Sequence, residues 1–135
     1  MPEQFSIITA EPVSDREVRD FIRDIGGFDT EMSDQVGRIS DQGNHVWVHY
    51  AEDPYAEYEG DAVKLIKAAL SPNQAFAEIA VDMGYGETTE VLAAEFACKF
   101  MMRWKSIVFD PINDQIFTPE QVCALSRQGL RIPQY

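Results

Sequence analysis

The sequence predicts a single α+β domain whose mixed, mostly antiparallel sheet packs against helices on one face, with a ferredoxin-like arrangement as its expected core. Three observations lead there. Strand-like and helix-like patterns alternate as β-α-β-β-α-β-α-β-β-α without the regular βα repeat of a doubly wound sheet. Two of the strand pairs are joined by short turns and read as hairpins. The 135 residues, 45% of them apolar, supply one core and contain no linker, internal repeat or low-complexity stretch.

Residues 4–10, β-branched and aromatic, read as the first strand. Ser14 and Glu17 then form a capping box, and Val13 and Val18 have the spacing of a hydrophobic staple. Val18, Phe21, Ile22 and Ile25 follow at i, i+3, i+4 and i+7, and Gly26-Gly27 stops the helix. A polar loop over 28–35 leads to strands at 36–40 and 44–51, with turn residues Asp41-Gln42-Gly43-Asn44 between them. The second helix runs from Asp61 to Leu70, with Ala62, Leu65, Ile66 and Ala69 on one face, and Ser71-Pro72-Asn73 ends it. Residues 74–83 alternate as a half-buried strand: Ala75, Ala77, Ile79, Val81 and Met83 share one face, and Glu78 and Asp82 lie on the other.

From Thr88 to Lys105 the chain is helical and apolar nearly all round, so this helix belongs at the centre of the fold. Glu95, Lys99 and Arg103 make its narrow polar stripe. Residues 106–110 and 115–117 flank Pro-Ile-Asn-Asp as a short second hairpin. Thr118-Pro119-Glu120-Gln121 gives the last helix an N-cap, a proline in its first turn and a capping-box glutamine.

Charge is the most distinctive property of the chain. Twenty-three acids against 11 bases leave a net of −12, which disfavours nucleic acid as a partner because phosphate contacts need Lys and Arg. Residues 1–61 hold 15 acids and four bases; residues 62–135 hold eight and seven. The excess peaks in Glu52, Asp53, Glu57, Glu59 and Asp61, among which stand Tyr55 and Tyr58. Such a segment is either a docking loop for a basic protein, with tyrosine contact area and carboxylate steering, or a solvated loop that only confers solubility.

Other motifs carry less chemistry. His45, Trp47 and His49 share one face of a strand, where four residues at ~3.3 Å each set the two histidines ~13 Å apart. That is too far for one metal, so the stripe reads as partner-facing or as ordinary sheet packing, and no metal or cofactor is expected. Gly84-Tyr85-Gly86 before a helix faintly resembles the acetyl-CoA loop of GNAT acetyltransferases, but Val81 stands at the Gln/Arg position, and Asp82 and Glu87 oppose a pyrophosphate. Phe96, Phe100 and Trp104, with Met101 and Met102, read as core rather than as a ligand pocket. No nucleophile elbow or Cys/His pair is present, so no enzymatic activity is expected.

The N-terminus has neither a basic region nor an apolar run, and no stretch approaches a membrane span; Cys98 and Cys123, 25 residues apart, read as reduced thiols. Cytoplasmic localisation is the expectation. In size, acidity and α+β character the chain resembles the immunity proteins of bacterial toxin–immunity pairs. The likeness includes the course of apolar helix, Ser-Ile-Val-Phe-Asp-Pro hairpin and Ile-Phe-Thr-Pro-Glu capped helix. It implies an inhibitor that occludes a basic toxin's active site. The alternatives are a small ligand-binding domain or enzyme, for example for acyl-CoA or nucleotides, and an oligomeric regulatory subunit.

Overall fold

In a computed structural model, which describes residues 3–28, 30, 35–84 and 88–132, β1 (Glu3–Thr9) runs through the middle of a six-stranded sheet. Its residues suit that position. Phe5 and Ile7 face one layer and Ile8 the other, all three fully buried, and a strand apolar on both sides is stable only when both sides are covered. The chain continues through α1 (Asp15–Asp24), β2 (Gln35–Asp41), β3 (Asn44–Ala51), α2 (Gly60–Leu70), β4 (Ala77–Met83), α3 (Thr89–Arg103), β5 (Ser106–Asp110), β6 (Gln115–Phe117) and α4 (Pro119–Arg127).

The strand order is β2-β3-β4-β1-β5-β6, and every ladder is antiparallel. Within it, β1 and β3 run the same way with β4 between them, and β4 and β5 run the same way with β1 between them. The inner four strands, with α1 and α3 packed on one face, therefore have ferredoxin-like connectivity. β2 and β6 extend the sheet at its edges. The β2–β3 turn places Gln42 and Gly43 at φ 50° and 85°, as a two-residue hairpin turn requires.

The larger core lies between the sheet and α1, α3 and α4. Phe21 meets Phe100 and Trp104 edge-on, with ring centroids 5.7 and 5.4 Å apart. Phe96, Phe100, Met101 and Trp104 are buried, so the aromatic ladder is core, whereas Met102 faces solvent. Both predicted capping boxes form, Ser14 with Glu17 and Thr118 with Gln121. The start of α3 is held from a distance: Asn44 Nδ2 donates to Thr88 Oγ1 at 2.6 Å, and its Oδ1 accepts from Thr89 Oγ1 at 3.0 Å.

Two expectations are corrected. Cys98 and Cys123 form a disulfide that joins α3 to α4, with Cα atoms 4.8 Å apart. The second hairpin folds α4 back onto α3, and the half-turns that carry the two cysteines then face each other. Sequence separation cannot reveal this, and the thiol ground for a reducing compartment falls. The helices also do not all lie on one face. α2 packs on the opposite face, where Ile66 and Leu70 join Ile8, Ala75, Ile107 and Phe109 in a second, smaller core. Its inward stripe is buried Ile66 and Leu70 with half-buried Ala62, and Leu65 and Ala69 are exposed.

Candidate functional site

The acidic segment leaves the end of β3 and returns over this second face before entering α2. It has no ladder of its own. Its turns close through Ala56 N–H to Asp53 O at 3.2 Å, Tyr58 N–H to Tyr55 O at 3.1 Å, and Tyr55 N–H to Asp53 Oδ1 at 2.9 Å. Glu52, Asp53, Glu57, Glu59 and Asp61 are all exposed. Tyr55 and Tyr58 are half-buried and point the other way, into the smaller core.

Their inward course changes what the tyrosines do. The Tyr58 ring stands edge-on to Phe109, with centroids 5.1 Å apart, and its hydroxyl is hydrogen-bonded to Ser6 Oγ. The Tyr55 ring lies 5.4 Å from Lys67 Nζ of α2. Both act first as anchors of the segment, and the outward contact area expected of them is reduced. What the segment presents is a row of carboxylates fixed from behind.

Beneath it lies a group that the sequence reading placed in solvent. Glu78, on the face of β4 expected to be open, is 2% exposed. Ser6 Oγ donates to Glu78 Oε2 at 2.6 Å, and since a serine has one hydroxyl proton, the Tyr58 hydroxyl donates in turn to Ser6. The chain Tyr58→Ser6→Glu78 thus links the acidic segment to β1 and β4. Burial pushes the Glu78 carboxyl above its ordinary pKa; the Ser6 and Tyr58 hydroxyls oppose the shift, and the charges of Glu57 and Asp53 add to it. Burial likewise raises the Tyr58 phenol, and that of Tyr55. Alternation alone could not find Glu78, because what covers it is an irregular segment between β3 and α2.

The second half of the same face carries the histidine–tryptophan stripe. His49, Trp47 and His45 follow Ala51 down β3 on the side of Glu78, with His49 opposite Ala80 and Trp47 opposite Asp82. His49 Nε2 lies 2.8 Å from Asp82 Oδ2, and His45 Nδ1 lies 2.8 Å from Ser40 Oγ. The His45 and Trp47 rings are 5.9 Å apart. All three side chains are half-buried. The indole lies across Gly84, where an added Cβ would come within 2.7 Å of its Cζ3. Each histidine is bonded to a different neighbour, and among the described residues no three His, Cys, Asp or Glu side chains gather as a metal-ligand group. The rest of the glycine turn, residues 85–87, lies outside the described residues.

The fold therefore brings the predicted partner-binding residues onto one face of the sheet, as consecutive parts of β3 and the segment after it. The Asp82–Trp47 pairing makes that face continuous with β4. Among the described residues no helix is long and apolar enough to cross a membrane. No protein-family model, curated protein sequence or solved structure matches this chain, so its own residues carry the functional reading.

Proposed function

We propose that this chain is an acidic protein-binding module, an immunity protein that neutralises a basic toxin domain by occluding its active site. The observation that carries the reading is the orientation of residues 52–61: five carboxylates outward on a segment anchored from behind by two tyrosines. Carboxylates on an unanchored loop must be ordered on binding, at a cost of about 0.5–1.5 kcal/mol per immobilised side chain; a braced segment reduces that cost. The His45-Trp47-His49 stripe extends the same surface with aromatic area, which favours a macromolecular partner over a lone cation. The Cys98–Cys123 disulfide is of the kind kept in oxidising compartments, so the proposal does not depend on cytoplasmic placement.

The test is whether a neighbouring gene encodes a toxin domain with a basic surface and, with that domain, association and dissociation kinetics measured across salt. Neutralising Glu57, Glu59 and Asp61 together should slow association at low salt. The difference should fade as screening shortens the Debye length to ~8 Å. Dissociation should respond instead to Trp47→Ala. If both changes leave binding within about threefold of wild type, a shift worth under ~0.7 kcal/mol, the segment is a solvated surface and the proposal fails.

A further inference from the structure

The Tyr58–Ser6–Glu78 chain is more elaborate than an anchor requires. Phe109 alone would hold the Tyr58 ring, yet a carboxyl is buried at the end of two hydroxyls and directly under the acidic segment. Of the titratable groups on that segment, Glu57 and Asp53 oppose a charge on Glu78, while the Tyr58 hydroxyl, like that of Ser6, favours it; burial outweighs both hydroxyls. Its strand neighbours Ile8 on β1 and Ala51 on β3 bring no charge, and further along the same face His49 of β3 and Asp82 of β4 are paired with each other. A neutral Glu78 fits this setting: its carbonyl oxygen accepts from Ser6 and it repels nothing. An ionised Glu78 keeps the bonds from the Ser6 and Tyr58 hydroxyls but loses its own hydration, the largest of the opposing effects, and the charges of Glu57 and Asp53 disfavour it further.

The ionised form gains most by admitting solvent, and the fold offers one cheap way to do so. β1 and β4 are paired over their full lengths, from Glu3 with Met83 to Thr9 with Ala77. The segment above them is held by a few turn bonds and two half-buried rings. Local opening is drawn from such weakly bonded parts of a structure.

We propose that Tyr58, Ser6 and Glu78 form a proton-operated latch on the partner-binding segment, which clamps residues 53–58 to the sheet when Glu78 is neutral and releases them when it ionises. This deepens the partner-binding reading and rests on it for its use, while the latch itself is a property of the free chain. The linkage has a definite sign. The clamped state holds the Glu78 proton above the ordinary carboxylate range and the open state does not, so opening grows by up to about tenfold per pH unit between the two values. Above the clamped-state value it levels off.

Hydrogen exchange of the free protein tests this, read at the amides of Ala56 and Tyr58 and referenced to those of β1 and β4. The ratio of exchange in wild type to that in Glu78→Gln cancels the intrinsic pH dependence. The expected result is a ratio that rises with pH through the window at Ala56 and Tyr58 and stays flat in the two strands. A ratio constant with pH at all these amides overturns the latch. Should Glu78→Gln not fold, the infrared carbonyl band of protonated carboxyls in wild type decides. A band persisting above the ordinary range and disappearing in step with faster exchange supports the latch, and loss of all such intensity within the ordinary range refutes it. Because no partner enters either measurement, the latch can fail while toxin binding stands, and the reverse.

Discussion

Breaking the Cys98–Cys123 bond should cost this protein a large part of its stability, and the size follows from the chain it closes. The two cysteines are 25 residues apart, and the loop between them holds the end of α3, the β5–β6 hairpin and the start of α4. In the chain-entropy treatment, closing a loop of that length removes about 12 cal/mol/K from the unfolded state, or about 3.5 kcal/mol at 25 °C. The figure is an upper value, because residual structure in the reduced unfolded chain already restricts part of that loop. For a domain of this size each kcal/mol moves the midpoint by roughly 3–5 °C, so reduction should lower it by about 10 °C. The assay is a thermal melt with and without reductant, alongside the double change Cys98→Ala and Cys123→Ala. The alanine pair should melt near the reduced wild type, slightly lower for the lost packing of buried Cys123. A midpoint indifferent to reductant, with two titratable thiols in the denatured non-reduced protein, would show that the bond does not form and would refute the reasoning.

Further outcomes follow from the second sheet face. Tyr58→Phe keeps the edge contact with Phe109 and loses one hydrogen bond, for about 1 kcal/mol of unfolding free energy. Tyr58→Ala loses the ring as well and should cost about 3 kcal/mol; denaturant melts in which the two variants are equal would deny Tyr58 its anchoring role. Because the folded-state pKa of Glu78 is raised, its contribution to stability is fully present below the unfolded value and is lost as pH rises through the folded one. Wild type should therefore lose ground to Glu78→Gln by up to about 1.4 kcal/mol per pH unit across that window, then run parallel to it; parallel curves throughout would count against the burial. Gly84→Ala should displace the Trp47 indole and change tryptophan emission against the constant background of buried Trp104, at a stability cost of about 1–3 kcal/mol; an unchanged spectrum would mean that Trp47 does not lie on Gly84.

Most of the fold was legible in the sequence because its signals are local. The Ser14–Glu17 and Thr118–Gln121 boxes are complete within four residues, and each starts its helix where the spacing predicts. The Gln42-Gly43 turn fixes the β2–β3 hairpin, and the apolar face of α3 announces a central helix. Contacts made only when distant segments meet were not legible. The disulfide needs α4 folded back on α3. The side on which α2 packs is set by Ile8, Ile107 and Phe109 of other strands, and its narrow Ala62-Ile66-Leu70 stripe reads equally well toward either face.

The candidate site divides along the same line, and the division explains why one prediction about it changed character. That residues 52–61 are acidic and that His45, Trp47 and His49 share a strand face are properties of composition and period, and both survive folding. Which way Tyr55 and Tyr58 point is not, because their partners Lys67, Phe109 and Ser6 lie far away in the chain or on another element. Once Tyr58 turns inward it covers Glu78, and the strand that alternation marks as half-solvated is buried on both faces up to Val81. The same tyrosines that look like contact residues in the sequence thus become the means by which the carboxylates are held in place. On the proposed reading, a partner that meets those carboxylates is sensitive to the anchoring of Tyr58, and the buried Glu78 carboxyl is linked to that anchor through Ser6.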